Sequence, residues 1–134
     1  MYWQSRLRFV MPAQVSVEEM AQYRETARRR LKAEQAQRMS CHAQGWELAR
    51  QAADLLRREY GVERVSVFGS LLAPDRFSVT SDIDLAAWGL TSRNWLRAIV
   101  AVQDLSTDIE INLVDVECCS PEFRAVIERD GVTL

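Results

Sequence analysis

Apolar residues recur along the chain with a period that switches between about 3.6 and 2, and the switches mark the elements. Ser16-Val17-Glu18-Glu19 has the form of a capping box, with Ser16 as N-cap and Glu19 reaching back to its amide. From there to Tyr60 nearly every residue favours helix; Gly45 is the one glycine in the run, and it holds no proline. A continuous helix of that length would span ~66 Å, more than a domain of this size measures, so a break is expected around Met39–Gly45. The two halves differ. Residues 17–38 carry apolar positions only sparsely, at Met20, Ala27 and Leu31, and read as a solvated arm or a docking surface. Trp46, Ala49, Ala53, Leu56 and Tyr60, spaced by three and four, form one face that should pack on a sheet.

Gly61 is placed to cap that helix, and a first strand follows at Arg64–Phe68. Gly69-Ser70 leads into a single helical turn, Leu71-Leu72-Ala73, ended by Pro74-Asp75, and a mostly polar loop runs to Ser81. The second strand, Asp82–Trp88, stops at Gly89. Thr91 or Ser92 is expected to cap a helix with Trp95, Leu96, Ile99, Val100 and Val102 buried. The third strand, Ile109–Val116, alternates Glu110, Asn112 and Val114 on one face with Ile111, Leu113 and Asp115 on the other. Ser120-Pro121-Glu122 is a strong helix start, with Phe123, Val126 and Ile127 on its inner side. After Gly131, Val132-Thr133-Leu134 reads as a final edge strand. Residues 1–11, around Tyr2, Arg6 and Arg8, read as a strand or a loose arm before Pro12. The order predicts an α/β (α+β) chain: a small mixed sheet with flanking helices, preceded by a long helical extension.

Composition narrows the classes. A chain of 134 residues, 48% hydrophobic and 27% charged, fits one soluble globular domain. Its net charge of −2 hides an asymmetry. Residues 1–60 hold eleven Lys and Arg against seven Asp and Glu, while residues 61–134 hold six against twelve. The basic half could meet an acidic partner or nucleic acid, and the acidic half could hold cations. Cys41, Cys118 and Cys119 are odd in number and include an adjacent pair, which argues against a disulfide framework; with His42 the only histidine, a structural zinc site is not expected either. His42 is read as an exposed helix residue. No apolar run approaches the ~20 residues of a membrane span, and no signal peptide is evident, so a cytoplasmic location is expected.

The chemistry concentrates at Gly69-Ser70 and, eleven residues on, at Asp82-Ile83-Asp84-Leu85. Strand alternation puts Asp82 and Asp84 on one face and turns Ile83 and Leu85 inward. Two carboxylates side by side on an apolar strand repel each other and resist losing water. A divalent cation removes that penalty, and oxygen ligands on a strand suit Mg²⁺. Glycine lets backbone approach a ligand closely, and a serine hydroxyl beside free amides can hold phosphate oxygens. Together these parts suit a metal-bound triphosphate, on a site that lacks the glycine-lysine pattern of a P-loop.

Phe68-Gly69-Ser70 followed by Ser81-Asp82-Ile83-Asp84-Leu85-Ala86 resembles the Gly-Ser…Asp-x-Asp signature of minimal nucleotidyltransferases in the DNA polymerase β superfamily. The resemblance extends through Ile111-Asn112-Leu113-Val114-Asp115 and Glu128-Arg129-Asp130-Gly131-Val132 and covers residues 46–134, the nucleotidyltransferase domain it implies. Residues 1–45 are similar to a basic helical extension of some bacterial members. The resemblance implies a polymerase β-like core in which Asp82 and Asp84 ligate Mg²⁺, Gly69 and Ser70 hold ATP, and a third-strand carboxylate completes the site. Here Asn112 stands where that carboxylate is expected, and Glu110 shares its face.

Small members of this family are often encoded beside a HEPN-type toxin. The resemblance therefore implies an antitoxin that transfers AMP from ATP to a toxin tyrosine, in a hetero-oligomer with that partner, without direct nucleic-acid binding. Asn112 keeps a second reading open: a catalytically weak binding module that neutralises its partner by stoichiometric masking.

Overall fold

The computed structural model describes residues 15–134, so the expectation for residues 1–11 lies outside the described residues. Among the described residues the chain divides into two units between Ala36 and Gln37. Helix α1 runs without interruption over Val17–Tyr60. Ser16 opens it as expected, its Oγ accepting from the Glu19 amide at 3.1 Å. Within the first unit the helix is almost wholly exposed: Tyr23 and Leu31 lie in solvent, Met20 and Ala27 are half-buried, and Glu25 pairs with Arg28 and Arg29. Such exposed ion pairs are worth only a few tenths of a kcal/mol each.

The break expected around Met39–Gly45 does not occur, and the reason is tertiary. A Cβ on Gly45 would lie 2.8 Å from Leu71 Cδ1 and 2.9 Å from Phe77 Cζ, both on fully buried side chains. Gly45 is thus a slot that receives Leu71 and Phe77. Its helical cost of about 1 kcal/mol relative to alanine is offset by the packing it allows. Replacing Gly45 with leucine should destabilise the protein by about 2–3 kcal/mol through overpacking, read as a lower denaturant midpoint at unchanged slope. From Cys41 onward the helix buries Cys41, Gly45, Leu48, Ala49, Ala52, Ala53 and Leu56, the predicted face widened by Leu48 and Ala52. Trp46 and Tyr60 pack at its margin. The helix ends at Gly61, whose φ of 64° is the left-handed cap.

The sheet has four strands in the order β3-β2-β1-β4: β1 Arg64–Phe68, β2 Ile83–Trp88, β3 Ile111–Asp115 and β4 Val132–Thr133. β1 pairs antiparallel with both β2 and β4, and β2 pairs parallel with β3. One face carries Val65, Val67, Ile83, Leu85, Ala87 and Ile111, packed in one cluster with α1 and with Ala98 and Val102. The other carries Ala86 and Trp88, packed with Val116 and Ile127 and flanked by Phe68 and Val114. Both faces are covered, so the chain is a mixed α/β protein. Among the described residues no helix is long and apolar enough to cross a membrane.

Helix α2, Trp95–Gln103, corrects two expectations. Its N-cap is Asn94, with no side-chain capping bond; the Asn94 side chain instead accepts from the Thr91 amide at 2.8 Å. It buries Ala98 and Val102, leaving Trp95 42%, Leu96 59% and Val100 50% exposed. Two apolar stripes of similar strength run along this short helix, and periodicity alone does not choose between them. The stripe through Ala98 and Val102 is the one that packs in the core cluster, which leaves Leu96 and Val100 outside it. Helix α3, Pro121–Asp130, starts as expected, with Ser120 Oγ accepting from the Phe123 amide at 3.2 Å. Only Ile127 is buried on it, packed with Ala86, Trp88 and Val116, while Phe123 and Val126 stay partly exposed. His42 is also corrected, from exposed to half-buried, held by contacts described below.

Candidate functional site

Strand register brings the predicted residues to one end of the sheet. Phe68, Asp84 and Asn112 are neighbours across β1, β2 and β3. Gly69 and Ser70 follow β1 directly and open a 3-10 turn, Gly69–Leu72, while Asp82 stands just before β2. The β1–β2 ladder, continued, sets Ser70 beside Asp82, and Ser70 Oγ donates weakly to the Asp82 carbonyl at 3.5 Å. The first amides of such a turn have no partner within it. The hydroxyl and amides of this segment are therefore open to a ligand's oxygens.

Gly69 is required twice over. Its φ of 78° lies in the left-handed region, and a Cβ there would collide with Asp84 Oδ2. The Asp84 carboxylate fills the place where any other residue would carry its side chain. The turn and the acid are thereby pressed together.

Asp84 is half-buried, and Asn112 Nδ2 donates to its Oδ1 at 3.3 Å. Burial holds the Asp84 carboxyl above the usual carboxylate range, the charge of Asp82 adds to the rise, and the Asn112 bond pulls it partly back. Among the described residues, no ion pair involves Asp82, Asp84 or Glu110. Mg²⁺ commonly takes one or two protein carboxylates and completes its shell with water and substrate phosphates. Asp82 and Asp84 fit that pattern. Among the described residues, no group of three His, Cys, Asp or Glu side chains could hold a metal.

Glu110 is exposed one residue before β3, and its carbonyl accepts from the Ile83 amide at 2.9 Å. With Asp82 it lines a polar cavity of about 490 Å³ that also includes Ser81, Thr107 and Asp108. Asn112, not Glu110, is the third-strand residue that touches Asp84. Asp115 lies on the opposite face at the strand end, where its side chain accepts from the Glu117 amide. Reasoning from sequence missed His42, whose Nε2 lies 2.8 Å from the Leu71 carbonyl oxygen in the Gly69–Leu72 turn. Its one available signal is a lone histidine one turn before Trp46, at the edge of the apolar face of α1.

Compared with protein-family models and with curated protein sequences, this chain finds no match.

Proposed function

We propose that this chain is a Mg²⁺-dependent nucleotidyltransferase with a polymerase β-like core, transferring AMP from ATP to a tyrosine of a HEPN-type toxin as that toxin's antitoxin. The observation that carries the proposal is the packing of the Asp84 carboxylate into the Cβ space of Gly69. It joins the turn read here as the phosphate holder to a pair of acids that, among the described residues, make no ion pair. In the transfer, the tyrosine oxygen attacks the α-phosphorus, the bond from that phosphorus to the β-bridging oxygen breaks, and pyrophosphate leaves with the electron pair. The tyrosine proton passes to solvent. Mg²⁺, bound with the nucleotide by Asp82 and Asp84, supplies charge neutralisation of the triphosphate. Gly69 and Ser70 orient the phosphates through backbone amides and a hydroxyl. Glu110, beside Asp82 at the polar cavity, or Asn112, bonded to Asp84, would complete the site.

A second reading has one observation in its favour: Asn112 donates to Asp84 where a carboxylate would instead share the metal. On that reading the protein masks its partner without turnover. Incubation with labelled ATP, Mg²⁺ and the protein encoded beside it separates the two. Label on the partner, lost in a D82A/D84A variant, supports transfer; a double variant that neutralises the partner as well as wild type rejects it. Asn112→Asp should raise the single-turnover rate about tenfold or more, since it adds a ligand and removes the hydrogen bond competing for Asp84. An unchanged rate moves the third-ligand role to Glu110.

A further inference from the structure

His42 lies on α1, three residues before Gly45, and reaches the turn that carries Gly69 and Ser70. A ring nitrogen lone pair facing a carbonyl lone pair at 2.8 Å would be repelled, so His42 Nε2 carries the hydrogen and donates to the Leu71 oxygen. Trp46 Nε1, 3.2 Å from the same nitrogen, then has no lone pair there to donate to. The two rings instead meet edge-on, with centroids 6.3 Å apart. Phe77 meets the imidazole from another side, also edge-on, at 5.9 Å. Phe77 is itself fully buried against Gly45, which leaves the imidazole little freedom to rotate.

Leu71 is consequently gripped at two points: its side chain in the Gly45 slot and its carbonyl by His42. A trans peptide directs C=O and N–H in opposite senses. Holding the Leu71 carbonyl toward α1 therefore directs the Leu72 amide away from α1. Helix α1 covers the face of Val65, Val67, Ile83 and Leu85, whereas Asp84 and Asn112 project from the other. The grip sets the peptide planes of the turn relative to the acids.

We propose that His42 is a positioning residue for phosphate binding: its Nε2–H bond to the Leu71 carbonyl holds the Gly69–Leu72 turn in its ligand-ready orientation. This rests on the reading of that turn as the triphosphate holder. The test uses two substitutions in the full chain. Gln places its amide nitrogen as many bonds from the backbone as His Nε2, so H42Q keeps the donor; H42M has comparable bulk and no donor. Two quantities are read: hydrogen exchange at the Leu72 and Ala73 amides without ligand, and the dissociation constant for Mg·ATP.

In H42M, exchange in the turn should rise and Mg·ATP affinity fall, each about fivefold to tenfold, the equivalent of one hydrogen bond. Amides of Val65–Val67 should be unaffected, and H42Q should match wild type in both readouts. Wild-type values in H42M overturn the proposal. So does an H42Q as impaired as H42M, which would assign the effect to ring packing. Should H42M not fold, H42N, whose amide falls at the Nδ1 position, is the donor-shifted substitute. Wild-type protein that binds no Mg·ATP overturns the nucleotide reading, and with it the role of His42 toward phosphate. The exchange arm still reports whether His42 holds the turn, so the two failures are distinguishable.

Discussion

Replacing Asp84 with asparagine should abolish AMP transfer and, at neutral pH, make the folded protein more stable. The loss should be on the order of 10³-fold, the scale seen when a preorganised electrostatic group is removed from a site. The gain in stability follows from the same carboxylate. Burial and Asp82 hold the Asp84 carboxyl above the usual range, so between its unfolded and folded pKa values the folded state binds more protons than the unfolded one. Stability therefore falls as pH rises through that window. Asparagine removes the charge and can still meet Asn112. The melting temperature of Asp84→Asn should exceed that of wild type at pH 7 by a modest amount, on the order of 2 °C. The difference should vanish below the ordinary carboxylate range, where both states of wild type are protonated. A variant that melts lower than wild type at pH 7 would show that Asp84 serves the fold rather than a ligand.

Gly69→Ala is expected to damage both the fold and the site. A residue with a Cβ at φ 78° costs roughly 1–2 kcal/mol in left-handed strain. The added methyl also claims the position of Asp84 Oδ2. Either the turn moves off the sheet or the carboxylate rotates away, and each outcome separates the amides of the turn from the acids. Transfer should fall on the order of 100-fold, a scale that misplacement of about 1 Å can produce. Unfolding in denaturant should show a loss of about 1–3 kcal/mol. Wild-type activity in Gly69→Ala would mean that close approach of the turn to Asp84 is incidental.

The strands and the placement of the acids were legible because they depend on local alternation. Ile83 and Leu85 are buried while Asp82 and Asp84 stay partly open, as a period of two requires. The helix starts at Ser16 and Ser120 and the stop at Gly61 are likewise local, set by side-chain bonds over three residues or by one backbone angle. What could not be read depends on residues distant in sequence. Gly45 looks like a helix breaker until Leu71 and Phe77 are seen to occupy its missing side chain. The burial of α2 turns on which of two apolar stripes meets the sheet, and Ala98 and Val102 lie on the one that does. In the site, the Asp-x-Asp pair and the Gly-Ser turn were visible as spacing. The collision that forbids a Cβ at Gly69, and the bond from Asn112 to Asp84, required the register of three strands.

On the proposed function, Gly69, Ser70, Asp82 and Asp84 form one site for a metal-bound triphosphate. Isothermal titration of the full chain with ATP, in Mg²⁺ and again in excess EDTA, reads this out. Saturable one-to-one binding is expected in Mg²⁺, with at least a roughly tenfold weakening in EDTA and loss of the Mg²⁺-dependent part in the D82A/D84A variant. Absence of binding by the wild-type protein, or binding that neither EDTA nor the double substitution alters, would contradict it.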